Sequence, residues 1–324
     1  MSTVETVDFK GELLKRRDRL SRAPVGQASE LARLLREIDE ALDRIEEGTY
    51  GLCDVCLDPV EQDRLLGDPL LRTCLDHLTS VERQALEKDL ALAVRVQRGM
   101  LPRDAMGEAG WTTAHHYEPA GTVGGDYCDL IPGPDGSLLF VVGDVSGKGV
   151  AASMLMASLR AIVRTVAGPR MSLVSTMESI NRFFCESRPG SQFATLVLGY
   201  ATPDGQVQIC NAGHCPPLVL CDGAIREVRP SGFPVGMFCS ATYQVETISV
   251  PPGSGFFIYT DGLSEARDGG DADFGAHRVV TLAAKHRELP PGAMVAAYLE
   301  ELRAFRGAAA PTDDLTLLAL RRDR

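Results

Sequence analysis

No stretch of this 324-residue chain approaches the roughly 18 uncharged apolar residues that a membrane-spanning helix needs. The opening segment, MSTVETVDFKGELLKRR, lacks the apolar middle of a secretory signal. Both absences lead to the expectation of a cytoplasmic protein with no membrane partner. Positive charge is also short: 33 Lys and Arg stand against 44 Asp and Glu, for a net charge of −11. Nucleic-acid affinity comes chiefly from clustered Lys and Arg, so no nucleic-acid partner is expected. With no export signal, nine cysteines point to metal ligation or free thiols and away from a disulfide framework. Internal repeats and low-complexity tracts are missing too. The length suits one large domain with a true core plus a smaller module.

Residues 27–47, QASELARLLREIDEALDRIEE, space Leu31, Leu34, Leu35, Ile38, Leu42 and Ile45 three and four apart, with acidic residues on the other side and Gly48 after them. This pattern predicts an amphipathic helix, with residues 8–22 as its neighbour in a hairpin. A compact, turn-rich stretch follows, in which Cys53, Cys56, Cys74 and His77 form C-x2-C-x17-C-x2-H. Two such knuckles converge four ligands on one tetrahedral ion, so one structural or sensory Zn²⁺ is expected. Residues 79–107 read as a linker helix, with Leu86, Leu90, Val94 and Met100 along one side and Pro102 at its end. That stripe offers more apolar surface than an isolated helix buries, and a homodimer through it is expected. From residue 108 to 324, β-branched runs alternate with turn signals and four helical stretches, near 150–167, 172–187, 277–287 and 291–305. Strands are expected at 138–142, 194–200, 207–210, 217–221, 256–259 and 315–320.

The segment VVGDVSGKGVAAS imitates a phosphate-binding loop, but Gly149 stands where a Walker A motif needs its metal-binding hydroxyl. Asp144 would also repel the phosphate. An acidic turn at a strand end suits a cation. Three further carboxylates occupy similar turns: Asp126 in VGGDYCD, Asp261 in FIYTDGLSEA and Asp313 in PTDDLTLLAL. Oxygen ligands without His or Cys suit Mg²⁺ or Mn²⁺. Two such ions, about 3.5–4 Å apart, can activate water and clamp a phosphoryl group. Gly124 and Gly125 let the backbone approach this site closely. His214, in NAGHCPP, is read with Asn211 as a structural hydrogen-bonder, and Lys148 as a residue of a switch region or one facing substrate.

The first 78 residues, through ALDRIEEGTYGLCDVC and DRLLGDPLLRTCLDH, resemble the DksA/TraR zinc-finger family over about 8–78. Leu57 stands where that family has glycine, and His77 replaces its fourth cysteine. Residues 95–324 carry VQRGMLP, PAGTVGGDYCDL, GDVSGKGVAASMLMASLR, NAGHCPPLVL, GFPVGMF, YTDGLSEA, FGAHRV and DDLTLLALR in order. This series resembles the SpoIIE/RsbU-type branch of the metal-dependent PPM serine/threonine phosphatases. The resemblance implies an α+β protein whose phosphatase domain is an αββα sandwich, preceded by the hairpin, zinc finger and linker helix. It implies Asp144 as the bridge between two Mn²⁺ or Mg²⁺ ions, helped by the Val145 carbonyl, with Asp126 on one ion and Asp261 and Asp313 on the other. It implies a phosphoprotein substrate of the STAS-type anti-sigma-antagonist class in a partner-switching pathway, with the zinc module gating activity. A non-enzymatic zinc-finger adaptor whose phosphatase-like domain only binds is the alternative; the four aspartates argue against it.

Overall fold

The computed structural model describes residues 9–21, 28–102, 107–108, 110–167, 172–187, 190–221 and 223–323. The chain divides into two compact units between Asp89 and Leu90. In the first, helices α1 (Phe9–Ser21) and α2 (Ala28–Glu47) pair. Their contact closes over Leu13, Ile38, Ala41 and Leu42. This is the stripe the sequence spacing predicts. Beyond Glu47 the chain forms a small knot with the short helix α3 (Gln62–Gly67). Its core is Cys53, Val60, Leu65 and Cys74, too little to hold a fold without help. Leu57 adopts φ 61°, a left-handed conformation that a glycine would take without a steric penalty.

Helix α4 (Ser80–Arg98) opens with a capping box, Thr79 and Glu82. The Thr79 N–H donates to Glu82 Oε2 (2.8 Å), and the Glu82 N–H donates to Thr79 Oγ1 (3.2 Å). The unit boundary falls inside this helix. Its stripe is divided: Leu86 is exposed and Leu90 and Val94 are half-buried, with Val81, Leu92 and Val96 exposed elsewhere on the helix, whereas Met100, just past the helix, packs on the core of the second unit.

The second unit contains two antiparallel sheets. One orders β1 (Gly107–Glu108), β2 (Trp111–Glu118), β11 (Leu315–Arg322), β10 (Gly255–Tyr259), β7 (Leu218–Cys221) and β8 (Ala224–Glu227). The other orders β3 (Asp126–Pro132), β4 (Leu138–Val145), β5 (Ala194–Ala201), β6 (Gln206–Ala212) and β9 (Glu246–Ser249). The period of two along each strand builds the layers. Phe140 and Val142 of β4 meet Phe256, Ile258 and Leu318 between the sheets. Val141 faces the other way, onto Met156, Leu159 and Val163 of α5 (Gly149–Val166) and Met177 and Phe184 of α6 (Leu173–Ser187). On the far side, Phe257 and Leu317 pack on Val279 of α8 (Ala276–His286) and Tyr298 of α9 (Pro291–Arg306). The four layers make an αββα sandwich. A single turn, α7 (Asp261–Ser264), follows β10.

One helix needs a closer look, and one expectation needs correction. Helix α5 has the length and composition of a membrane span. However, Arg164 on it binds the fully buried Asp129 through two hydrogen bonds of 2.7 Å, and its apolar side lies on the sheet. Cys185 and Cys239 form a disulfide although no disulfide framework is expected from the sequence.

Candidate metal centres

Each predicted aspartate lies at the same end of the two sheets. Asp126 starts β3 and Asp144 sits near the end of β4, directly opposite in register. Asp261 follows β10 and Asp313 precedes β11, a second antiparallel pair. Antiparallel neighbours bring the end of one strand beside the start of the next, so four residues far apart in sequence share one edge.

Asp126 is buried and accepts two hydrogen bonds at Oδ2, from Thr260 Oγ1 (2.8 Å) and Thr316 Oγ1 (2.7 Å). Thr316 lies in β11 of the opposite sheet and Thr260 directly follows β10, so they set the carboxylate's direction and tie the sheets together at the site. Burial, then the Asp144 charge, holds the Asp126 carboxyl well above the usual range. Asp144 is pushed up to about 7 by burial and by Asp261, Asp313 and Asp314, with Lys148 acting in the opposite direction. Asp261 is raised by burial and by Asp313. Carboxylates this crowded and desolvated call for a cation. A set of hard oxygens fits Mg²⁺ or Mn²⁺, which bind through few carboxylates and keep several waters.

Sequence reasoning missed three groups. Asp314 is buried; its Oδ1 accepts the Ala120 N–H (2.8 Å) and its Oδ2 the Gly125 N–H (2.6 Å). A Cβ on Gly124 would come within 2.4 Å of the Asp314 carboxylate, so glycine is needed for this approach. Gln97 of α4, also buried, donates from Nε2 to the Gly124 carbonyl (2.7 Å) and accepts the Gly124 N–H at Oε1 (3.2 Å). The third group is the Thr260 and Thr316 pair. Only the Asp313-Asp314 doublet offered a sequence signal; the others are polar residues among apolar ones, unremarkable until folded.

Lys148 Nζ lies 2.8 Å from Asp313 Oδ2 and donates to the Thr312 carbonyl (2.6 Å). His214 is buried, its Nδ1 2.7 Å from Thr195 Oγ1, and its N–H donates to Asn211 Oδ1 (2.8 Å). It holds a turn, as expected from the sequence. Val145 pairs with Ala194 beside this site.

In the first unit, the Sγ atoms of Cys53, Cys56 and Cys74 and a ring nitrogen of His77 all lie within 4.8 Å of one another. Cys56 Sγ is 3.8 Å from Cys74 Sγ, and His77 Nδ1 is 3.2 Å from Cys74 Sγ and 3.9 Å from Cys53 Sγ. Zn–S bonds of about 2.3 Å at tetrahedral angles put sulfurs about 3.8 Å apart, so the quartet fits zinc.

Residues 134–323, more than half of the chain, match the family model for stage II sporulation protein E (SpoIIE). Protein IcfG of Synechocystis is 27% identical over 274 residues, covering 75% of this chain and 42% of that protein. Phosphoserine phosphatase RsbP of Bacillus subtilis is 20% identical over 185 residues, covering 55% of this chain and 46% of that protein. This chain therefore spans less than half the length of these two relatives. Among solved structures, the RsbU and RsbW domains of a Mycobacterium tuberculosis protein are 32% identical with TM-score 0.59, covering 67% of this chain and 61% of that one. The SiaA PP2C domain of Pseudomonas aeruginosa is 20% identical with TM-score 0.66, covering 76% of this chain and 99% of that one, and shares the fold.

Proposed function

We propose that this chain, which belongs to the stage II sporulation protein E (SpoIIE) family, is a metal-dependent phosphatase acting on phosphoserine or phosphothreonine in a protein. The observation that carries the reading is the convergence of Asp126, Asp144, Asp261 and Asp313, from both sheets, on one edge. When bound there, two Mn²⁺ or Mg²⁺ ions supply the charge that activates a water and neutralises the phosphoryl oxygens. The chain's residues do the positioning. Asp144 would hold both ions, Asp126 would serve one, Asp261 and Asp313 the other, and the Val145 carbonyl would assist through water. Thr260 and Thr316 aim Asp126, while Asp314 and Gln97 fix the Gly124-Gly125 backbone just before it. Hydrolysis of p-nitrophenyl phosphate that depends on added Mn²⁺ or Mg²⁺, together with release of phosphate from a phosphoserine protein, is the expected result. Turnover that survives EDTA would reject the reading. Metal binding without turnover would favour the adaptor alternative.

The substrate in this reading is a STAS-type anti-sigma antagonist, and the setting is cytoplasmic. RsbP, a phosphoserine phosphatase by name, supports the chemistry. The first unit, with Zn²⁺ on Cys53, Cys56, Cys74 and His77, gates the second through α4. Two contacts support gating: Gln97 holds the loop before Asp126, and Arg160 of α5 donates to the Met100 carbonyl (3.0 Å). The exposed Val81, Leu86, Leu92 and Val96 support a homodimer through α4. Light scattering of wild type and Leu86→Asp tests it; a monomeric wild type discards the dimer.

A further inference from the structure

The loop 232–239 carries three large apolar side chains that the fold leaves bare: Phe233 is 58% exposed, Met237 37% and Phe238 52%. They are not bare because the loop is loose. Asn181 of α6 donates from Nδ2 to the carbonyls of Phe238 (3.0 Å) and Cys239 (3.2 Å), and its Oδ1 accepts the Gly236 N–H (2.8 Å). Val235 and Ala194 exchange backbone hydrogen bonds of 2.7 and 2.8 Å. Pro234 presses on Gly213, where φ is 70° and a Cβ would lie 2.6 Å from the proline ring. The Cys185–Cys239 disulfide closes the loop onto α6. The two phenylalanine rings meet edge to face, centroids 4.9 Å apart. A rigid backbone that presents exposed rings is a prepared contact surface, because little entropy is left to lose when a partner covers it.

Its place in the sheet indicates what the partner is. Val235 bonds to Ala194, and Ala194 pairs with Val145, the residue after Asp144. Two ladder spacings separate Val235 from Val145, about 10 Å. A second bare apolar pair, Val150 and Met154, lies on the first turns of α5, a few residues past Asp144. Apart from the ions, which would take any phosphoryl group alike, the site's own side chains give one protein substrate little to distinguish it from another. Lys148, the cation acting against the raised Asp144, is already engaged by Asp313 and the Thr312 carbonyl. Selectivity for one folded protein must then come from contacts beside the phosphate, and the exposed side chains named here are apolar. A second copy of this chain seated there would crowd the rim that substrate must reach.

We propose that the 232–239 loop is the docking platform for the folded protein substrate, with Phe233, Met237 and Phe238 covering an apolar patch next to its phosphorylated residue. The proposal rests on the phosphatase reading and adds where the substrate is held. The test compares full-length wild type, Phe233→Ser and Phe238→Ser on p-nitrophenyl phosphate, on a folded phosphorylated lysate of the source organism read site by site by mass spectrometry, and on tryptic phosphopeptides of that lysate. Wild type is expected to clear a small set of serine or threonine sites in the folded lysate. At those sites each variant should be slowed by about tenfold or more relative to its own p-nitrophenyl phosphate rate. On tryptic peptides that ratio should match wild type. Matching ratios on the folded sites would overturn the platform and leave the phosphatase intact. A wild type that turns over p-nitrophenyl phosphate but clears no site would overturn the protein-phosphatase reading and the platform with it. A dimer lost in the variants by light scattering would assign the patch to a second copy and overturn the proposal.

Discussion

Asp126 and Asp144 face each other across β3 and β4 as a register pair, one sealed from solvent and the other at its edge. Like charges directly opposite in a sheet are destabilising, and burial makes them more so. A fold keeps such a pair where a cation relieves it. Asp144→Asn is therefore expected to remove nearly all metal-dependent turnover of p-nitrophenyl phosphate while leaving the far-UV spectrum unchanged. An active Asp144→Asn enzyme would discard the two-ion assignment.

The threonines behind Asp126 give a finer test. Thr316→Val and Thr260→Val keep shape but each removes a donor to Asp126 Oδ2. Losing an outer partner of a ligand lowers metal affinity by roughly 10–100-fold. A Mn²⁺ titration followed by electron paramagnetic resonance should show that loss in each variant. Unchanged affinity would mean that Asp126 holds no ion.

Gln97 makes the same kind of claim for α4. Gln97→Met fills the space but leaves the Gly124 N–H and carbonyl unpaired, at about 1–3 kcal/mol per buried group. The expected result is a lower urea midpoint and a higher Mn²⁺ requirement, because the unpaired loop leads into Asp126. A stability loss with no change in Mn²⁺ requirement would confine Gln97 to packing.

For the first unit, one zinc per chain is expected by elemental analysis, and Cys53→Ser should unfold residues 49–78, whose core is too small to persist alone. Leu57→Gly should stabilise the knuckle by about 1 kcal/mol, by removing a left-handed leucine. A metal-free yet folded knuckle would refute the site.

His214 sets an acid limit. Burial lowers its pKa to about 4, against about 6.5 in an unfolded chain. Below pH 6.5 the unfolded state takes up a proton that the native state refuses, so this stabilisation is whole above pH 6.5 and drains away toward pH 4. The slope contributed is up to about 1.4 kcal/mol per pH unit. Urea unfolding of wild type and His214→Asn between pH 4 and 7 should show the shallower dependence in the variant. Equal slopes would place the titration elsewhere.

Local pattern by itself determined much of this protein. The helix over 27–47, the zinc spacing, the four aspartate turns and the strands of β-branched residues are written in short-range periodicity and turn chemistry, which act within a few residues. Strands β1, β2, β3, β8 and β9 escaped: β1, β8 and β9 are short, WTTAHHYE is rich in polar residues, and DYCDLIP carries carboxylates whose burial becomes tolerable only beside partners such as Thr316 and Arg164. The same reason hid Gln97, Thr260 and Asp314: a polar side chain has no assigned role until folding places its donor or acceptor. Only the tertiary structure decided that Asp314 fixes a backbone turn while its neighbour Asp313 meets Lys148. Side chains of adjacent residues in an extended chain point opposite ways, and what lies on each side belongs to segments far away in the sequence, Gly125 for Asp314 and Lys148 for Asp313.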